Sequence, residues 1–233
     1  MGYPTQKPRE LLERVIAISS NEGDTVLDPF CGCGTAVHAA HKLNRRWIGI
    51  DITHLAISLI RRRMQDAFSG LKVEVEGEPK DLEGARFLAS SSPMQFEYWV
   101  VDRLDARPTG GKGPDLDGVR PFIEFGGKVR RAVISVKGTK VVNPEMVREV
   151  QGVLGDDKPI GILATLAEPT KGMITQAAAA GFYESAGRKY HRLQIITVRE
   201  MLSGKRLDLP PTISPFAKAP TEKEKAEQET LLL

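Results

Sequence analysis

One stretch constrains the folding of this 233-residue chain more than any other: Thr25-Val26-Leu27-Asp28, then Pro29-Phe30-Cys31-Gly32-Cys33-Gly34, then Thr35 and Ala36-Val37-His38-Ala39-Ala40. The first part favours an extended strand, Asp-Pro and the glycines break it, and the alanine-rich part resumes as a helix. Glycines in such a bend permit positive φ and let the backbone approach a ligand closely. The helix that follows begins with unpaired N–H groups. Asp28 falls at the carboxyl edge of a parallel sheet, where open α/β folds take their ligands. Ile48-Gly49-Ile50-Asp51 then reads as a second strand ending in an acid. Glycines under the ligand and a carboxylate for ribose hydroxyls are the plan of a nucleoside site. A tight turn would satisfy the same glycine spacing.

The residues themselves narrow the choice. Asp28-Pro29-Phe30-Cys31-Gly32-Cys33-Gly34-Thr35 resembles the S-adenosylmethionine loop of the amino-methylating DNA methyltransferases, which act on adenine N6 or cytosine N4. Tyr3-Pro4-Thr5-Gln6-Lys7-Pro8 is similar to the segment preceding this loop in members whose catalytic half comes first, and Ile48-Gly49-Ile50-Asp51 resembles their ribose-binding strand. The resemblance implies that Asp28, Pro29, Phe30, Cys31, Gly32, Gly34 and Thr35 hold the methionine part of S-adenosyl-L-methionine. Asp51 would hold the ribose, and Thr5 and Lys7 would complete the pocket. Double-stranded DNA is the implied partner, within a restriction-modification type system.

Methyl transfer to an exocyclic amine also needs a polar clamp that accepts hydrogen bonds from the amine while the base is flipped out of the duplex. In this family the clamp is a motif of the Asp-Pro-Pro-Tyr type. Asp28-Pro29-Phe30 belongs to the cofactor loop, and Leu209-Pro210-Pro211-Thr212 lacks both acid and aromatic. The methyltransferase catalytic motif is absent from these residues. The expectation is therefore a C-terminal part of a methyltransferase, inactive alone, whose catalytic half precedes Tyr3 or is a separate N-terminal half.

Composition excludes little. An apolar share of 41% and a charged share of 27% are ordinary for a globular protein. A formal net charge of +3 permits nucleic-acid binding without arguing for it. The two cysteines, Cys31 and Cys33, share one loop and lack the second pair that a zinc site needs. They read as small loop residues in a reducing compartment. No apolar run approaches the roughly 20 residues that span a bilayer, and the N-terminus is not a signal peptide. A cytoplasmic protein with no membrane partner is expected.

Along the chain, Leu11, Leu12, Val15, Ile16 and Ile18 make a helical stripe over Pro8–Ser20. His38 and His41 fall on one side of the next helix, a weak metal pair without a third ligand. Thr53 caps a helix running through Phe68, and its Arg61-Arg62-Arg63 run reads as a solvated face, with phosphate contact as the minority reading. Leu71–Glu76 alternates like a half-exposed strand. Gly77, Pro79 and Gly84 then punctuate the chain, and residues 77–93 are read as a linker. Ser92-Pro93 starts a helix that buries Phe96, Trp99, Val100 and Leu104.

A second constellation follows. Asp115 and Asp117 lead into a strand around Phe122–Phe125, a Gly126-Gly127 turn, and the strand Ala132–Lys137. Such a hairpin brings an acidic turn and a strand-end lysine to one edge. A nuclease uses such a set, because carboxylates hold a divalent metal while a lysine assists at the phosphate. By themselves, an Asp and a Lys across a hairpin are better explained as a surface ion pair. Gln95-Phe96-Glu97, Asp117-Gly118, Val136-Lys137-Gly138 and Ile160–Thr165 resemble the restriction-endonuclease-like fold of the Mrr type. That implies a catalytic pair Asp117 and Lys137, with Glu97 or Asp115 assisting, Asp117 as a metal ligand, and Mg2+ as the metal. The sequence departs from the pattern at Ser135, where the family carries Glu or Gln. A serine hydroxyl is a poorer metal ligand than a carboxylate.

The expected fold class is thus α/β: a partial Rossmann-like methyltransferase sheet over 1–76, a linker over 77–93, and a restriction-endonuclease-like α/β domain over 94–205. A disordered tail is expected over 206–233. The functional alternatives are the cofactor-binding part of a DNA methyltransferase, a metal-dependent DNA endonuclease or DNA-binding module of the Mrr type, and a scaffold that binds a nucleotide without catalysis.

Overall fold

The computed structural model describes residues 7–110, 116–124 and 126–213. Within them the chain falls into two compact units that divide between Glu76 and Gly77.

The first unit runs α1 (Arg9–Ser19), β1 (Thr25–Asp28), α2 (Thr35–Lys42), β2 (Arg46–Gly49) and α3 (His54–Ala67). Strands β1 and β2 pair in parallel with Thr25 opposite Arg46 and Asp28 opposite Gly49. Helix α2 is the hub. Its Ala39 and Ala40 are fully buried and, having no bulk, let Ile16 of α1 pack close. Its Val37 turns to Ile60 and Met64 of α3. Alternation along the strands half-buries Val26, Asp28, Trp47 and Gly49 on one face and leaves Leu27 and Ile48 exposed on the other. Leu71–Glu76 keeps the alternating burial expected of a strand, but it forms none. A strand needs a partner for its backbone, and Leu71 and Val73 instead bury themselves against the α2–α3 cluster.

The second unit runs α4 (Leu82–Ser91), α5 (Pro93–Arg103), β3 (Arg107–Pro108), β4 (Gly118–Ile123), β5 (Val129–Lys137), α6 (Pro144–Gly152), β6 (Ile160–Thr165), α7 (Lys171–Ala179), β7 (Phe182–Ser185), β8 (Arg188–His191), β9 (Leu193–Thr197) and α8 (Val198–Leu202). Its main sheet has the order β3-β4-β5-β6-β9. The pairs β3–β4 and β4–β5 are antiparallel, whereas β5–β6 and β6–β9 are parallel. Strands β7 and β8 form a separate hairpin.

Period-two alternation divides the core. Ile134, Val136, Ile162, Ala164 and Ile196 face Phe96, Trp99 and Val100 of α5 and Ala85 and Ala89 of α4. Leu163 and Leu193 face Val147 and Val150 of α6 and Met173 of α7. Strand β6 is buried along its whole length, as a central strand covered on both faces should be.

Two expectations about the chain's punctuation are corrected. Residues 77–93 contain helix α4, because the Asp81 carboxylate caps it by accepting from the Gly84 N–H at 2.7 Å. The fold also continues beyond 205. The Ile123 N–H donates to Pro211 O and the Ile213 N–H to Pro121 O, so residues 211–213 pair along β4 and the expected tail does not begin at 206. Phe125 and residues 214–233 lie outside the described residues.

Candidate functional site

The loop of the first unit is built where β1 and β2 end. Asp28 Oδ1 accepts from the Phe30 N–H at 3.2 Å, which turns the chain out of the strand. The Cys31 N–H donates to Ile50 O at 2.9 Å, and the Gly34 N–H donates back to Cys31 O at 2.7 Å. Gly32 and Gly34 have φ of +48° and +76°. A Cβ on Gly34 would lie 2.7 Å from Ile60 Cγ1, so both its conformation and its closeness to α3 call for glycine. Arg63, read as part of a solvated face, donates from Nη1 to Cys33 O at 2.8 Å and braces the loop from α3.

Asp51 joins the two strand ends. Its Oδ2 accepts from the Gly32 N–H at 3.0 Å, and its Oδ1 accepts from the Thr53 N–H at 2.8 Å and the Thr53 hydroxyl at 2.7 Å. A carboxylate offers about four lone-pair sites, so three donors leave it little spare capacity. A ribose diol would have to share Asp51 with the loop. Phe30 in the loop and Ile52 after Asp51 are uncovered apolar side chains, 87% and 92% exposed.

Cys31 and Cys33 are buried and free. Burial, then the Asp51 and Asp28 charges, pushes the Cys31 thiol up to about 11, so it is protonated and a poor nucleophile at neutral pH. Thr35 is buried, with its Oγ1 at 3.4 Å from Cys33 Sγ. Pro29 is exposed in the loop, Lys7 is exposed ahead of α1, and Thr5 lies outside the described residues. His38 and His41 pack on the Phe68 ring, at 4.9 and 4.4 Å between centroids, which makes them aromatic packing and not a metal pair.

The second unit gathers a different set. Asp117 precedes β4, and its Oδ2 accepts from the Val136 N–H at 2.6 Å. Burial raises its carboxyl above the ordinary range, against the pull of the Val136 N–H, the Lys137 charge and the Ser135 hydroxyl. Glu97, from α5, is raised by burial and then by the Asp117 charge, with Lys137 opposing. Lys137 Nζ lies 2.9 Å from Glu149 Oε2 of α6. Asp117 thus sits beside Lys137, whose charge acts on both Asp117 and Glu97, while Asp115 lies outside the described residues. Among the described residues no group of three or more His, Cys, Asp or Glu is arranged to hold a metal ion.

Glu149 was not foreseen. Asn143-Pro144-Glu145 is the signature of a helix start, with the Asn143 side chain accepting from the N–H groups of Glu145 and Met146. Extending that helix reaches Glu149, but its meeting with β5 is set by how α6 packs on the sheet. Among the described residues no helix is long and apolar enough to cross a membrane.

Residues 1–62 match the family model described as DNA methylase. The type II methyltransferase M.HpaI of Haemophilus parainfluenzae is 52% identical over 106 residues, covering 44% of this chain and 31% of that protein. A proposed DNA modification methylase of Thermus thermophilus, solved with S-adenosyl-L-methionine, is 38% identical over 30% of this chain and 28% of its own, with a TM-score of 0.29. The MspJI restriction endonuclease, solved with a 27-mer oligonucleotide, overlaps 71% of this chain and 36% of its own at 12% identity and a TM-score of 0.37. The chain spans less than a third of the length of the curated relatives it matches. Its N-terminal residues 1–62 are thus similar in sequence to the DNA methylase family.

Proposed function

We propose that the first unit is the cofactor-binding part of an S-adenosyl-L-methionine-dependent DNA methyltransferase acting on an exocyclic amine, adenine N6 or cytosine N4, in a restriction-modification type system. The observation that carries this reading is the Asp51 carboxylate holding the Gly32 N–H, which ties the second strand's acid to the glycine loop of the first at the carboxyl end of a parallel pair. The cofactor supplies an electrophilic methyl group on a sulfonium. Asp28 and the backbone of Cys31–Thr35 would bind its methionine part, and Asp51 its ribose hydroxyls. The exposed Phe30 and Ile52 offer apolar surface to a flat purine ring. The amine clamp is not among these 233 residues. This chain's role would then be to hold and orient the cofactor for whatever part carries the amine clamp. Calorimetric titration of S-adenosyl-L-methionine into the full chain tests the reading, with loss of binding expected in Asp51→Ala.

A second reading has its own observation. Asp117 accepts from the Val136 N–H beside Lys137 at the end of β5, and the Lys137 charge acts on both Asp117 and Glu97, whose carboxyls burial raises. This supports a metal-dependent endonuclease of the Mrr type, cutting double-stranded DNA with Mg2+. Metal-dependent nicking of plasmid DNA that is lost in Lys137→Ala would establish it.

A further inference from the structure

The weakness of the endonuclease reading is Ser135, which stands where a strand carboxylate would help hold a metal ion. Ser135 is 2% exposed, and its hydroxyl is engaged by Asp117. It offers a metal no charge. The acid arrives from another element. Helix α6 packs over the face of the sheet that carries Leu163, and it presents Glu149 to Lys137 at 2.9 Å. The Glu149 charge also reaches Asp117, whose ionisation it disfavours. Lys137 is thus paired directly with Glu149 of α6, and its charge also acts on Asp117, before β4, and on Glu97 of α5. A single ammonium leaves that arrangement with an excess of negative charge.

An independent feature points the same way. Thr165 is paired with Lys137 in the parallel β5–β6 register, so its side chain stands on the same face as Ser135 and Lys137. It is 0% exposed, and its Oγ1 has no hydrogen-bond partner among the described residues. A buried hydroxyl left without a partner costs about 1–3 kcal/mol, which a ligand, or the water such a ligand orders, would offset. Mg2+ is usually held by only one or two carboxylates, together with waters and the substrate's phosphate oxygens.

We infer that Glu149 takes over the part that Ser135 cannot play, so that Asp117 and Glu149 bind a divalent cation together with a DNA phosphodiester while Lys137 passes from Glu149 to the phosphate. The inference rests on the endonuclease reading of the second unit. In the reaction, the oxygen of water forms a new bond to phosphorus and one P–O ester bond breaks. One proton of the water ends on the leaving oxygen. The new phosphomonoester releases the other to solvent, and nothing is oxidised or reduced. The cation lowers the pKa of the attacking water and spreads the charge that builds at phosphorus.

The test uses the full chain, with Mn2+ as the spectroscopic probe and plasmid nicking in Mg2+ as the activity. Glu149→Gln keeps the size of the side chain and removes its charge. It should weaken Mn2+ binding by more than about tenfold, the least expected for a direct ligand given what outer-sphere partners contribute, and abolish nicking. Restoring the charge on the strand, in Ser135→Glu with Glu149→Gln, should recover Mn2+ binding. If Asp117→Asn loses Mn2+ and nicking but Glu149→Gln keeps both, the role of Glu149 is overturned and the endonuclease reading survives. If the folded wild-type chain neither binds Mn2+ nor nicks, the endonuclease reading fails and the inference falls with it.

Discussion

Substituting Gly34 by alanine tests how tightly the loop is built, because two separable costs meet there. The first is conformational: φ is +76°, and an L-residue in that region costs about 1–2 kcal/mol. The second is steric. The new Cβ would lie 2.7 Å from Ile60 Cγ1 and 3.2–3.3 Å from two further atoms of the same side chain. Ile60 is 5% exposed and packed against Val37 and Met64, so it cannot simply swing away. Overpacking of this kind costs about 1–3 kcal/mol, for a total of about 2–5 kcal/mol. Gly23 supplies the control, since its φ is +84° and nothing lies within 4 Å of a Cβ built there. Gly23→Ala should therefore cost only about 1–2 kcal/mol. In an Ile60→Ala background the steric part disappears, so Gly34→Ala should cost as little as Gly23→Ala. Urea unfolding followed through Trp47, with Trp99 replaced by Phe, reports on the first unit alone. Equal costs at Gly23 and Gly34 in the otherwise native chain would refute the argument that close approach of the loop to α3 is what demands glycine.

Two further outcomes follow from titration. The Cys31 thiol, held protonated up to about 11 when folded, ionises near its ordinary value of 9.0 when unfolded. The folded state then binds more protons in that window, so stability of the first unit should fall as pH rises from about 9 to about 11. Iodoacetamide at pH 8 should leave Cys31 unmodified, as mass spectrometry would show; rapid alkylation would contradict it. In the second unit, burial raises the Asp117 carboxyl, so its ionised form destabilises the fold at neutral pH. Asp117→Asn, which can keep an oxygen acceptor for the Val136 N–H, should raise the melting temperature at pH 7 and lose that advantage as pH falls through the folded carboxyl's range. A lower melting temperature at pH 7 would count against it.

What the sequence disclosed divides by range. The unit from β1 to Asp51 was legible because each signal is local: an apolar run, Asp-Pro, glycines and an alanine-rich helix. The same holds for Trp99 and its neighbours on α5. Leu71–Glu76 shows the limit of local pattern, since alternation specifies a burial pattern and cannot supply a partner strand. At 77–93 the turn residues were visible, but Asp81 as a helix cap decided the outcome. Glu149 is a harder case. Its meaning depends on α6 crossing the sheet so that one carboxylate reaches a lysine on β5, and no spacing rule within either element encodes that meeting. The role of Ser135 was the reverse, visible as a departure in sequence and explained only by what surrounds it.

The central claim concerns the carboxylate that joins β2 to the glycine loop. Hydrogen bonds to a charged group contribute about 1.5–3 kcal/mol each, and tenfold in affinity corresponds to about 1.4 kcal/mol. Calorimetric titration of S-adenosyl-L-methionine into the folded full chain should therefore give binding that weakens by at least about tenfold in Asp51→Ala. No binding by the folded wild-type chain, or equal binding by the wild type and Asp51→Ala, would contradict the account.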